Sequence, residues 1–182
     1  MALSAGPAIC AGVTSHTAYR TYWVQGTTPR TLVGFMQRNP FPGDHGGAYA
    51  NIRPSYELSF TTAERGGECH AEAVTLDVRF VVTLPAARDE QRMSGKARAA
   101  WHVFAAFARR HENAHRVSYL ADARTFVERA RAESASSCPA LRSEMNQMLR
   151  EAKRSSEAGQ AAFDRQQKQQ LAGLGLFRLA RQ

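Results

Sequence analysis

The hydrophobic positions of this chain change period once, near Pro85. Upstream they favour alternation. Tyr19 to Gln25 is rich in β-branched and aromatic residues and ends at Gly26, which predicts a strand followed by a turn. Thr28 and Pro29 then open a short helix through Arg38, with the threonine as N-cap and the proline at the first helical position. Asn39 to Gly47 reads as a loop by its Pro and Gly content. Tyr56, Leu58 and Phe60 alternate with Ser55, Glu57 and Ser59, the pattern of a half-buried strand, and Arg65-Gly66-Gly67 turns the chain. In the next strand Val74, Leu76, Val78, Phe80, Val82 and Leu84 share one face, and Pro85 is expected to stop it.

Downstream the period is helical. From about Ser94 to Ser134, Trp101, Phe104, Ala108, His111, His115, Tyr119 and Phe126 recur mostly at three- and four-residue steps. Ser134 to Pro139 interrupts, a second helix runs from about Ala140 to Gln170, and Gly173 and Gly175 mark a loose tail. This order predicts an α+β fold: a small antiparallel or mixed sheet followed by two long packed helices. Residues 1–16 are expected to be a flexible N-terminal segment, 17–175 a single domain and 176–182 a C-terminal tail.

Composition narrows the classes. A length of 182 residues suits one domain, and 43% hydrophobic with 22% charged residues excludes global disorder. No run of about 18 apolar residues is present, so membrane insertion through a helix is not expected. Lys and Arg outnumber Asp and Glu by 24 to 16, a net charge of +8. A nucleic-acid binder would cluster such charge with aromatics. Here the arginines are interleaved with glutamates along the helices, the pattern of a solvated face, and no nucleic-acid partner is expected. The segment Met1 to Gly12 lacks the basic start and Leu-rich centre of a signal peptide. Cys10, Cys69 and Cys138 form no CxxC pair. Their placement suits either a long-range Cys69–Cys138 disulfide, with Cys10 left over, or reduced structural cysteines.

The candidate chemistry lies in His111-Glu112-Asn113-Ala114-His115, an HExxH motif inside the first long helix. Residues i and i+4 project from one face about a turn apart, so both imidazoles can reach one ion, with Glu112 beside them to hold a metal-bound water. Two neutral nitrogens fix Zn²⁺, the ion lowers the water's pKa, and the carboxylate takes its proton. Both histidines share the apolar stripe of Trp101 and Phe104, so they are expected to be buried. Two buried imidazoles then need partners, which a shared metal or a satisfied hydrogen-bonded core would supply. His16, His45, His70 and His102 have no ligand spacing and read as ordinary surface or core residues.

These residues resemble the DUF922 family of predicted secreted zinc-dependent proteases. The resemblance is carried by Tyr22-Trp23-Val24-Gln25-Gly26-Thr27, by Cys69 before the strand ending Thr83-Leu84-Pro85, by Trp101 leading into the HExxH, and by Cys138 followed by Phe163-Asp164. It spans about residues 19 to 175, and the HExxH is its specific part. The family's end reads Tyr-Asp-x-x-Thr-x-His-Gly; here Asp164 is kept, and Gln167 and Gln169 stand where Thr and His would be. The resemblance implies a zincin-like metallopeptidase domain over 17–175, a secreted or periplasmic location, one Zn²⁺ per chain and a protein or peptide substrate. It also favours the Cys69–Cys138 disulfide.

A catalytic zinc site usually takes a third protein ligand. Two antiparallel helices joined near Ser136-Ser137 would set His111 opposite about residue 162 and His115 opposite about 158. Asp164 and Glu157 lie near that level, and Asp164 also falls on the family's Asp. Asp122 and Glu128 are weaker candidates, since Asp122 lies roughly 10 Å along the axis from His115 if the helix continues. Glu112 is expected to be the general base, with His111, His115 and Asp164 as ligands. Tyr119 and His102 are possible oxyanion stabilisers, and Val74–Leu84 is a strand along which substrate could add to a sheet edge. The alternative is a weak or inactive protein of the same fold serving as a binding or envelope-assembly module. The oligomeric state stays open.

Overall fold

The computed structural model describes residues 12–39, 41–43 and 46–182. Along the chain run β1 (Gly12–Val24), α1 (Pro29–Arg38), β2 (Phe41–Gly43), β3 (Gly46–Ala48), β4 (Asn51–Arg65), β5 (Glu68–Ala87), α2 (Gly95–Ala130), β6 (Ser134–Ala135), α3 (Cys138–Gly173) and α4 (Gly175–Ala180). The fold is α+β. One mixed sheet has the order β1-β5-β4, with β6 paired antiparallel to the start of β5. Gly66 and Gly67, at φ +61° and +84°, make the two-residue hairpin between β4 and β5, a turn that needs positive φ at both positions. β1 runs parallel to β5, since Thr14 bonds Asp77 and the Arg88 amide donates to the Val24 carbonyl.

The residues gather into two compact units. The first takes the described residues of 1–16 with Ser55–Arg79 and Tyr119–Ser156; the second takes Thr17–Pro54, Phe80–Ser118 and Glu157–Gln182. In the first unit the inner row of β5 (Val74, Leu76, Val78) is buried, as are Phe126 and Val127 of α2 and Leu141 and Met145 of α3. Tyr56, Leu76, Tyr119, Phe126 and Leu149 line one small cavity there. A disulfide joins Cys69, at the start of β5, to Cys138, the first residue of α3. Cys10 lies outside the described residues.

In the second unit Val24, Leu32, Val33 and Met36 pack in one core with Trp101 and Phe104 of α2 and Leu176 and Phe177 of α4. The tail expected at 176–182 is therefore mostly a helix. Gly173 and Gly175 suggested looseness, but burying a Leu and a Phe contributes about 1.5–3 kcal/mol each, which ties the segment down. The start of α1 matches its sequence signal: Thr28 Oγ1 accepts from the Thr31 amide at 3.2 Å, and Thr31 Oγ1 accepts in return from the Thr28 amide at 3.1 Å.

Other expectations are corrected. β1 begins at Gly12, so residues 12–16 are strand instead of a flexible segment; its outer half is polar because it is exposed. The Pro/Gly segment after Asn39 contains a short antiparallel ribbon, Phe41 opposite Ala48. β5 continues through Pro85 to Ala87. Residues that bond β1 alternate, and Arg88 is one of them, so Pro85 turns its missing N–H to the other edge. Counting back from the hairpin, β4 has already ended there, and no ladder bond is lost. Leu84 leaves the buried row, because Val82 and Thr83 are both buried and the alternation then shifts by one. β5 also lies between β1 and β4. Val74–Leu84 therefore offers no free sheet edge to a substrate; alternation reports a buried face and is blind to strand order.

Candidate metal centre

α2 is 36 residues long, free of proline and of interior glycine and rich in alanine, so nothing interrupts it through the HExxH. Its apolar stripe turns His111 and His115 inward, with side chains 18% and 7% exposed. Glu112, one residue on, projects about 100° away from His111 and is also buried. α3 starts with Ser137 Oγ capping the Ala140 amide at 3.3 Å and with Pro139 in its first turn. Its Gln160 and Asp164 are again four residues apart. Gln160 faces His115, and Asp164 reaches both histidines, so the i, i+4 pair on one helix meets an i, i+4 pair on the other.

The three donor atoms form a small triangle. His111 Nε2 and His115 Nε2 lie 3.0 and 2.8 Å from Asp164 Oδ1, and 3.0 Å from each other. His111 lies between two rings, stacked on Phe107 at 6.0 Å and on Phe163 at 5.1 Å, while His115 meets Phe163 edge-on at 5.0 Å. These rings fix the imidazole planes. His115 Nδ1 is held by Gln160 Oε1 at 2.6 Å, and Gln160 Nε2 donates to Ser118 Oγ at 3.1 Å. His111 Nδ1 is buried and has no hydrogen-bond partner.

The charges in the cluster oppose its burial. For Asp164 burial pushes the carboxyl up, but hydrogen bonds from His111 and His115 and their charge outweigh it and hold the group well below the usual carboxylate range. For His115 burial favours the neutral ring, yet the bonds to Asp164 and Gln160 and the charges of Asp164 and Glu112 leave its pKa raised. Asp164 is thus a carboxylate at neutral pH, and its charge favours the protonated form of His115.

The donor set fits a metal ion. Two imidazole nitrogens and one carboxylate oxygen are a known catalytic zinc set. Zinc bonds of about 2.0–2.1 Å to each atom would need ligand separations near 3.3 Å, a widening of only about 0.4 Å. Three lone pairs this close repel unless a proton or a cation lies among them.

The remaining candidates lie elsewhere. Glu157 and Glu128 are exposed and outside the cluster. Asp122 instead accepts from Ser156 Oγ. Asp164 faces His111 where residue 162 was expected, and Gln160 faces His115 where 158 was, a common offset of two set by the connection that carries β6. His102 bonds Glu90 at 2.6 Å and lies about 13 Å up the helix axis from His111, out of reach of the triangle. Tyr119 is buried in the first unit, and His70 pairs loosely with Glu68 at 3.9 Å. His16 is near enough to Asp77 for their charges to interact, and His45 lies outside the described residues. Gln160 and Phe107 were not foreseen. A neutral amide has no ligand signature, although its i−4 spacing from Asp164 could have marked it.

A mixed-sheet α+β protein with a partly buried His-His-Asp cluster on two antiparallel helices is the class that fold and site define. The family model described as a bacterial protein of unknown function, DUF922, matches residues 19–170, a span that includes every member of the cluster. The chain belongs to the DUF922 family. No curated protein and no solved structure matches it.

Proposed function

We propose that the chain is a zincin-like zinc metallopeptidase that hydrolyses peptide bonds in a protein or peptide substrate. The observation that carries this reading is the convergence of His111 Nε2, His115 Nε2 and Asp164 Oδ1 within 3.0 Å of one another, with Glu112 buried beside them. His111, His115 and Asp164 would hold one Zn²⁺. The ion supplies a Lewis acid and an activated water near neutral pH. Glu112 cannot join the two imidazoles in their plane, so its role would be to accept the water's proton and pass it to the leaving amine. A secreted or periplasmic location is part of the proposal, supported by the Cys69–Cys138 disulfide, which persists in oxidising compartments. No helix among the described residues is long and apolar enough to cross a membrane.

The test is metal content and hydrolysis measured together. Protein purified without chelator should hold about one equivalent of zinc. It should cleave an unstructured protein such as casein. Glu112→Gln should keep zinc and fold while losing at least about 100-fold in rate, the low end of a general base's contribution. A variant that cleaves as fast as the parent removes Glu112 from the chemistry. A parent that holds zinc and cleaves nothing is instead the binding or envelope-assembly module, a reading that Gln167 and Gln169 at the family's Thr and His positions would favour.

A further inference from the structure

We infer that Gln160 is a positioning residue for the metal centre: its amide fixes His115 as the Nδ1–H tautomer and so turns the Nε2 lone pair into the triangle. The inference rests on the metal reading above and adds a residue that is neither ligand nor base. Gln160 is 3% exposed, in the middle of α3. A buried amide side chain there must have its polar atoms satisfied, or it costs about 1–3 kcal/mol. Both ends are. Nε2 donates to Ser118 Oγ at 3.1 Å, which leaves Oε1 to accept at 2.6 Å, and the atom it faces is His115 Nδ1. A carbonyl oxygen cannot donate, so the hydrogen of that bond belongs to the imidazole. With Nδ1 carrying the proton, a neutral His115 has only a lone pair on Nε2, which lies 2.8 Å from Asp164 Oδ1 and 3.0 Å from His111 Nε2.

The geometry makes the two metal-ligand histidines unequal. His115 is oriented by a hydrogen bond at one nitrogen and by the Phe163 edge. His111 has no bond at Nδ1; ring stacking and its Nε2 contacts inside the triangle orient it. Stacking fixes a plane but not a tautomer. The chain's control over proton position in the triangle therefore runs through Gln160. Ser118 completes the device from α2 itself, three residues after His115, so the histidine and the group that steadies its partner belong to the same helical turn.

The decisive comparison is between Gln160→Leu, which removes the acceptor at similar size, and Gln160→Glu, which keeps it. Zinc affinity is read by competition with a chromogenic chelator, and the His115 tautomer by ¹⁵N NMR of the imidazole in metal-free protein, followed upward in pH past the ring's raised pKa until the imidazole is neutral. The parent should show the Nδ1–H tautomer. Gln160→Leu should lose it and bind zinc about 10- to 100-fold more weakly with an unchanged helical circular-dichroism signal. Gln160→Glu should restore both the tautomer and the affinity to within a few-fold of the parent. Equal zinc affinity in the parent and the Leu variant would overturn the inference, as would an Nε2–H tautomer in the parent. Failure of the Glu variant to rescue would overturn it too. If the parent bound no zinc at all, the metal reading would fall and the tautomer comparison would still decide what Gln160 does to His115.

Discussion

Asp164 and Glu157 were the two carboxylates that sequence spacing could not separate, and side-chain placement separates them. Asp164 Oδ1 touches both histidines, whereas Glu157 is exposed one turn before Gln160. Asp164→Ala should therefore weaken zinc binding by at least about tenfold, or about 1.4 kcal/mol, while Glu157→Ala leaves it unchanged. A chelator titration of the two variants side by side checks this, and the reverse order would put the third ligand elsewhere. The histidines were legible because the i, i+4 rule needs only one helix. Asp164 was legible in part, because helix pairing sets a level but not a rotation. Gln160 escaped notice, since its part depends on a contact 45 residues away in sequence and on no chemistry of its own.

At the scale of elements, one side-chain contact on β1 and one glycine turn before α1 hold these elements where they are. Thr14 Oγ1 donates to Asp77 at 2.8 Å, and this bond, more than the nearby Arg79, keeps the Asp77 carboxyl below its ordinary range against a smaller opposing effect of desolvation. A depressed carboxylate stabilises the fold above its unfolded pKa and loses that contribution as pH falls through the folded value. Thr14→Val should raise the Asp77 pKa, read by NMR titration of its carboxyl. The stability gap from the parent should close as the solution is acidified below about pH 4. At Gly26 the backbone takes φ +133°, and an added Cβ would sit 2.7 Å from Thr31 Oγ1 and 2.9 Å from the Leu32 amide nitrogen. Gly26→Ala should cost about 2 kcal/mol or more in urea unfolding, because both the φ value and the closeness to α1 resist it. The turn was visible in sequence; the reason only glycine fits it was not. The polar outer half of β1 and the short helix α4 were missed for related reasons. An exposed edge strand carries no apolar row, and two glycines outweighed the Leu-Phe pair that anchors α4.

For the whole molecule, the covalent link between Cys69 and Cys138 closes a loop across a sequence separation of 69 residues. Chain-entropy arguments give a disulfide over such a span about 4 kcal/mol, so reduction should lower the urea midpoint accordingly, with no change in a protein carrying Ser at both positions. The order of the cluster along the chain has a consequence in time. His111, Glu112 and His115 emerge from the ribosome well before Gln160 and Asp164, and the segment between them includes the start of α3 that the disulfide ties down. Until the last turns of α3 are made, the chain carries two imidazoles and no carboxylate to close the triangle. On the proposed reading a growing polypeptide of this kind would hold metal weakly, and its Glu112 would have nothing to act upon. The peptidase proposed here would thus be armed only when α3 is made, so that no bond in a neighbour could be cut before that helix exists.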